Sequence, residues 1–299
     1  MYDIIIVGAG PAGLTAALYA LRANKKVLVL EASSYGGKII NAKTVENYPA
    51  IETISGFDFA TNLYNQVKKL GCEIKYETVL KVDENKNVTT NKDTYSAKAV
   101  IIATGLINKK LNVSKADEYL GRGVSYCAVC DGNFFKGKTV AVVGDEKNAL
   151  DDAIYLSELS TKVYLIISKD EPSAEEDLIH KVKTTKNIEI VNNSQITNIL
   201  GDTTLSKIEI NNDKLIDVDG LFIAIGFVPS NDAFANVVEL NNRGYIITTD
   251  TVKTKIKGIY VAGDNRDKEL RQLTTAVNDG AIAATIAIKE MYEKWKGDL

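Results

Sequence analysis

Cys127 and Cys130 are separated by Ala128 and Val129 and followed at once by Asp131. Two thiols at that spacing can close to a disulfide and exchange it with a partner disulfide once a neighbouring group lowers one thiol's pKa. Asp131 is the candidate proton donor or acceptor for the exchange. A zinc site on the same pair needs two further ligands, and the chain offers only Cys72 and His180, each isolated. A purely structural cysteine pair is the remaining alternative. One histidine among 299 residues argues against His-rich metal centres and against Ser-His or Cys-His hydrolysis. Cys72, beside Gly71, reads as a buried apolar residue.

The second chemistry-bearing pattern is Gly8-x-Gly10-x-x-Gly13, with Pro11 and Ala12 inside it and Glu31 about 20 residues on. The first glycine permits a tight turn, the second lets a pyrophosphate approach the backbone, and the third allows close helix–strand packing. Backbone N–H groups and the helix dipole then hold the phosphates, and Glu31 can accept from ribose hydroxyls.

These residues need elements to position them. Tyr2–Val7 reads as a buried strand, 14–21 as a helix and 27–30 as a second strand, which together make a βαβ unit. A second unit starts in mid-chain, with strand Thr139–Val143, a helical stretch over 149–159 and a strand over 162–167. Between them lie a helix over 56–70 and a hairpin turn at 85–87, and a long helical pattern closes the chain over 270–295. The expected fold is α/β, with two Rossmann-like three-layer dinucleotide-binding domains, the second inserted in the first. The motifs put the first domain at 1–116 and 246–299 and the second at 117–245. With 36 basic against 39 acidic residues, nothing calls for nucleic acid. No apolar run approaches the length of a membrane span, and the N-terminus lacks a signal peptide's basic region. A cytoplasmic protein is the expectation.

Over essentially its whole length the sequence resembles the low-molecular-weight thioredoxin reductase family. The matching stretches are VGAGPAGLTAALYA, VENYP, IIATG, GRGVSYCAVCDG, GLFIAIGFVP, IYVAGD and RQLTTA. The resemblance implies FAD bound by Gly8, Gly10, Pro11, Ala12, Gly13, Glu31, Gly37 and Asn47, by Ala103, Thr104 and Gly105, and by Gly263 and Asp264. Arg271, Gln272 and Leu273 complete the set, at the start of a helix whose positive end would face the flavin's pyrimidine edge. It also makes Cys127 the thiol that attacks thioredoxin, Cys130 the flavin-proximal one, and the protein a homodimer. The family's usual GGQ reads Gly36-Gly37-Lys38 here.

The same resemblance marks a departure. Family members usually take electrons from NADPH through a GGGxSA loop and an HRRxxxR clamp. Here the loop reads Gly144-Asp145-Glu146-Lys147-Asn148-Ala149, and the clamp position reads Ile167-Ser168-Lys169-Asp170-Glu171-Pro172-Ser173. Carboxylates stand where phosphate oxygens belong, and at a helix N-terminus they would satisfy the dipole themselves. No acid ends the strand to take up ribose. This pattern resembles the ferredoxin-dependent flavin thioredoxin reductases, so the expected donor is reduced ferredoxin. The rivals are an NADPH-dependent reductase with a divergent pocket, an FAD dithiol oxidase using oxygen, and a flavin-binding sensor that does not turn over.

Overall fold

The computed structural model describes residues 1–248 and 252–297 of the chain. It divides into two units, residues 1–107 with 228–299, and residues 108–227.

In the first unit Tyr2–Val7 lies between Val27–Glu31 and Thr94–Ile102, parallel to both, with Val7 opposite Leu30 and Ile102. Such a strand is covered on both faces and reads as a continuous apolar run rather than an alternating one. Ile4, Ile5 and Ile6 are accordingly all fully buried, each contributing about 1.5–3 kcal/mol of apolar transfer. Glu73–Tyr76 extends one edge of the sheet. On the other side Thr94–Ile102 takes two partners, Asn87–Thr90 antiparallel to its first half and Ile259–Val261 parallel to its second. The predicted turn at 85–87 joins Val79–Val82 to Asn87–Thr90 as an antiparallel hairpin.

Helix α1 (Pro11–Arg22) begins with Pro in its first turn, where a missing N–H costs nothing. It buries Leu14, Ala16, Ala17 and Ala20 in one core with Ala283, Ala284 and Ala287 of α6 (Leu273–Gly297). The two helices approach so closely that a Cβ on Gly280 would lie 2.1 Å from the Ala12 carbonyl oxygen. Helix α2 (Gly56–Lys69) is started by Ser55, whose hydroxyl accepts from Asp58 N at 3.0 Å while donating to the Asp58 carboxylate at 2.6 Å.

The second unit is a five-stranded parallel sheet in the order Ile188–Val191, Lys162–Ile166, Thr139–Val143, Gly220–Ile223, Val124–Ser125. A three-stranded antiparallel meander, 196–217, adds to it. Helices α3 (Ala128–Asp131), α4 (Lys147–Ser157) and α5 (Glu176–Thr184) belong to this unit. The α/β, two-Rossmann architecture is as the sequence predicts, but the boundaries differ. Residues 108–116 fall in the second unit because Ala116, with Leu111 and Val113 beside it, packs into that unit's core. Residues 228–245 fall in the first because Phe234 and Val237 are buried in its core. There the Asn231 amide also donates to the carbonyls of Gly244 and Asn265. Motifs locate the strand–loop–helix cores and leave the connecting strands unassigned. No helix among the described residues is long and apolar enough to cross a membrane.

Candidate active site

In the first glycine loop each glycine meets a different constraint. Gly8 has φ +107°, and a Cβ there would lie 2.3 Å from Ala103 O. A Cβ on Gly13 would lie 1.9 Å from Gly8 O. Gly10, the residue before α1, has nothing nearer than Gly37 Cα at 3.9 Å, so the space over it is open at the N-terminus of the helix. That is the cradle a pyrophosphate requires. Glu31 ends its strand beside the loop, with one oxygen accepting from Ala9 N at 2.7 Å and the other from Ser33 N at 3.0 Å. Ala103 N donates to Val7 O at 2.8 Å, which brings 103–105 alongside Gly8.

Gly263-Asp264, which the resemblance assigns to FAD, leaves Ile259–Val261 at a left-handed glycine, φ +91°. Asp264 Oδ1 is buried without a hydrogen-bond partner among the described residues, with Lys268 Nζ 3.7 Å away. An orphaned carboxylate oxygen is what a ribityl hydroxyl would satisfy, so the residues present fit FAD. Asn47 and Gln272, far apart in sequence, are brought together, Asn47 Nδ2 donating to Gln272 Oε1 at 3.1 Å. Leu273 opens α6 and packs with Val45 and Phe59. The Arg271 guanidinium donates to Asp264 O at 3.2 Å and Arg266 O at 3.1 Å and stacks on Tyr245 at 4.0 Å. It therefore holds the loop's backbone.

The sequence reading missed what anchors this segment. Asp279, 2% exposed on α6, accepts from Gly263 N at 3.1 Å, from Arg266 Nε and Nη2 at 2.9 and 3.0 Å, and from Lys268 Nζ at 3.0 Å. The available signal was one acid inside an otherwise apolar helical run, AVNDGAIAA.

In the second unit Cys127 and Cys130 form a disulfide across α3, their Cα atoms 5.3 Å apart. Cys127 caps the helix, its Sγ accepting from Cys130 N at 3.1 Å. The two cysteines and Asp131 are thus brought together on one turn. Ser125, buried and also missed from sequence, links them. Its hydroxyl donates to Asp131 Oδ2 at 2.6 Å and accepts from Cys127 N at 3.0 Å. Cys72 is buried in the first unit, and burial pushes its thiol up to about 11, which suits an inert residue. No group of three metal-ligating side chains occurs among the described residues.

The second glycine loop repeats the frame of the first. Gly144 N donates to Ile166 O as Gly8 N does to Leu30 O, and Ala224 N to Val143 O as Ala103 N does to Val7 O. A Cβ on Gly144 would lie 2.3 Å from Ala224 O, matching Gly8. The carboxylate, however, is reversed. Buried Ile167 stands at the strand end where the first unit has Glu31, and the acid sits in the loop. Asp145 accepts from Ser168 N and Ser168 Oγ, both at 2.6 Å, while its carbonyl accepts from Ser173 N at 2.7 Å. Both acids stand at the N-terminal end of α4, but neither caps it through its side chain. Glu146 occupies the N-cap without a side-chain bond, and Asp145 turns to the strand end instead. A cavity of about 480 Å³ lies beside this loop, lined in part by Asp145, Glu146, Ser168 and Lys169.

A redox disulfide on one dinucleotide fold and an intact dinucleotide cradle on another define a flavoprotein disulfide reductase. The chain matches the pyridine nucleotide-disulphide oxidoreductase family over residues 2–280 and belongs to it. Within it the chain is an oxidoreductase of the thioredoxin reductase type, with FAD as its cofactor. The thioredoxin reductase of Bacillus subtilis is 40% identical over 308 residues, covering 99% of this chain and 98% of that protein. Among solved structures, that of Lactococcus lactis thioredoxin reductase superposes with a TM-score of 0.88 at 36% identity, over 98% of this chain and all of that one. The ferredoxin-flavin thioredoxin reductase of Clostridium acetobutylicum gives a TM-score of 0.54 at 32% identity, over 98% of each chain.

Proposed function

We propose that this enzyme reduces the disulfide of thioredoxin through Cys127 and Cys130 and draws its electrons from reduced ferredoxin rather than from a pyridine nucleotide. The observation that carries the donor assignment is the Asp145 carboxylate, which occupies Ser168 N and Oγ. Both units tie loop to strand end, but the first does so with the strand-end acid Glu31 on Ala9 N. The second does so with an acid of the loop itself, which puts the negative charge on the phosphate side. The one cation of the clamp segment, Lys169, donates to Ser173 Oγ at 3.1 Å. Bringing a pyrophosphate to Asp145 and Glu146 would set like charges about 4 Å apart, at a cost of several kcal/mol in a partly desolvated site. The likeness to the C. acetobutylicum ferredoxin-flavin enzyme supports the same donor.

FAD, when bound, accepts electrons singly and supplies them to the disulfide as a pair. Two electrons and two protons convert the Cys127–Cys130 disulfide to a dithiol. The Cys127 thiolate then attacks the thioredoxin disulfide. Cys130 next attacks Cys127 in the mixed disulfide, releasing reduced thioredoxin and re-forming the Cys127–Cys130 bond. Asp131, held by Ser125, is the group positioned to exchange the thiol proton. By the same resemblance the enzyme acts in the cytoplasm as a homodimer.

The test is the anaerobic absorbance of bound FAD on adding NADPH, NADH and reduced ferredoxin in turn. Bleaching by ferredoxin alone is the expected result, and rapid bleaching by NADPH would overturn the donor assignment. Reduction only by a small dithiol, with reoxidation by air, would favour the oxidase. A Cys130→Ser variant should accumulate a mixed disulfide between Cys127 and thioredoxin. Undiminished turnover of that variant would remove the pair from catalysis.

A further inference from the structure

Glu77 has no part in the chemistry described above, yet its carboxylate is buried in the first unit, the residue 8% exposed. Two hydroxyls satisfy it. Thr90 Oγ1 donates to Glu77 Oε2 at 2.7 Å, and the Tyr95 hydroxyl lies 3.0 and 3.1 Å from Oε1 and Oε2. Both hydroxyls are held in turn. Lys92 N and Asp93 N donate to Thr90 Oγ1 at 3.1 and 3.0 Å, and Lys75 Nζ donates to the Tyr95 hydroxyl at 3.1 Å. Three strands, Glu73–Tyr76, Asn87–Thr90 and Thr94–Ile102, thus supply a socket for one acid that follows the first of them. A buried carboxylate is costly unless it is hydrogen-bonded in this way.

What the socket holds still is the Glu77 backbone. Glu77 N donates to Glu31 O at 2.9 Å, one step beyond the register pair Glu31–Tyr76. The next residue is fixed as well, Thr78 N donating to Asn91 Oδ1 and Thr78 O accepting from Asn91 N, both at 3.0 Å. The segment 76–78 therefore clamps the strand end that carries Glu31. On its other side the Glu31 carboxylate accepts from Ala9 N through one oxygen and from Ser33 N through the other. A carboxylate has about four lone-pair sites, so both oxygens can still accept from a ribose hydroxyl.

We propose that Glu77 is a positioning residue for the adenosine half of FAD. Its side chain, seated on Thr90 and Tyr95, fixes the peptide that grips Glu31, and Glu31 takes the ribose. The residues assigned to the flavin half, Asn47, Asp264 and Gln272, lie on other segments, so the effect of Glu77 is confined to the adenosine half. The inference rests on the reading of Glu31 as the ribose acceptor. No bond to Glu77 forms or breaks in the reaction.

The experiment titrates FAD, and FMN, which lacks the adenosine half, into the deflavinated full-length chain by flavin fluorescence. Wild type is compared with Glu77→Leu and with the double variant Thr90→Val/Tyr95→Phe. Both variants should bind FAD about tenfold more weakly or worse, while FMN affinity stays within about twofold of wild type. A socket of merely structural importance would weaken both flavins alike. Wild-type FAD affinity in the variants, or an equal loss for FAD and FMN, overturns the proposal. Should Glu77→Leu fail to fold, the double variant, which keeps Glu77, carries the comparison. Glu31→Gln should reproduce the FAD-selective loss, and wild-type FAD affinity there would refute the ribose reading of Glu31 instead. A wild-type chain that bound no FAD would refute the flavoprotein reading itself.

Discussion

Replacing Asp279 by alanine should be among the most damaging single changes in the first unit. The carboxylate holds the Arg266 guanidinium through two bonds of 2.9 and 3.0 Å, Lys268 Nζ at 3.0 Å and Gly263 N at 3.1 Å. The side chains of Arg266, Lys268 and Asp279 are only 15, 7 and 2% exposed. Removing one partner of a buried ion pair costs about 3–5 kcal/mol, since the other is left uncompensated. Here Arg266 is stranded, while Lys268 keeps Asp264 at 3.7 Å and Thr275 Oγ1 at 3.2 Å, and an orphaned Gly263 N–H adds about 1–3 kcal/mol. At roughly 2–4 °C per kcal/mol for a unit of this size, the melting temperature of the apoprotein should fall by about 10 °C or more. FAD should also be lost, because the stranded groups frame the Gly263-Asp264 turn. Thermal unfolding followed by circular dichroism, with an FAD titration by fluorescence, reads both effects. A variant destabilised by less than about 1 kcal/mol that still held FAD at wild-type affinity would refute the anchoring role. Simultaneous replacement of Arg266, Lys268 and Asp279 by apolar residues should recover much of the stability but not the cofactor.

Two further predictions separate fold from ligand and native from unfolded protonation. Gly13→Ala places a Cβ 1.9 Å from Gly8 O, so its apoprotein should melt well below wild type. Gly10→Ala meets nothing within 3.9 Å and should melt as wild type while binding FAD at least tenfold more weakly. Equal effects in a thermal melt and an FAD titration would contradict the division of roles. Asp152, on α4, is pushed up to about 7, first by burial and then by the adjacent Asp151. The native state therefore holds more protons than the unfolded chain between the usual carboxylate range and about pH 7. Its contribution is most favourable at the acid end and is lost as pH rises through that window, at up to about 1.4 kcal/mol per pH unit. Melting temperatures across pH 4–8 should show that slope as the difference between wild type and Asp152→Asn, and a flat difference would refute it.

Much of the first cradle was legible because its constraints lie within a few residues of each other. The glycine spacing, the proline at the start of α1 and the acid at the end of the next strand each specify local backbone. The Cys127–Asp131 turn was legible for the same reason. What escaped were partners set by long-range approach. Asp279 reaches back across 16 positions to Gly263, and its pattern in sequence is that of an ordinary helix residue. Ser125 carries no signal of its own within GRGVSYCAVCDG, whereas in the fold its hydroxyl lies between Asp131 and Cys127 N. The acids at 145 and 146 are visible in the sequence as departures from the family's glycine loop. Folding then sets Asp145 against the strand end, where its carboxylate accepts charge-assisted hydrogen bonds from Ser168 N and Oγ, both at 2.6 Å.

A unit that takes no nucleotide, as proposed here for the second one, still needs its frame. Val124–Ser125, which leads into the cysteine turn, is an edge strand paired with Gly220–Ile223, Val124 opposite Leu221. Ala128, between the cysteines, is buried in the same cluster as Ala149, Leu150 and Ala153 of α4. A Cβ on Gly132 would press on Tyr155 and Leu156 of that helix at 3.0 and 3.1 Å. The strand–loop–helix frame that elsewhere receives a nucleotide is here the wall against which the redox turn is packed. Loosening that wall would move Cys127 and Cys130 whether or not any ligand occupies it. Hydrogen bonds from Ser168 and Ser173 to Asp145 hold the loop at the head of α4. The proposed loss of nucleotide binding in this unit is therefore compatible with an intact fold and an intact disulfide. On that proposal, the electron donor's chemistry belongs to the unit with the open Gly10.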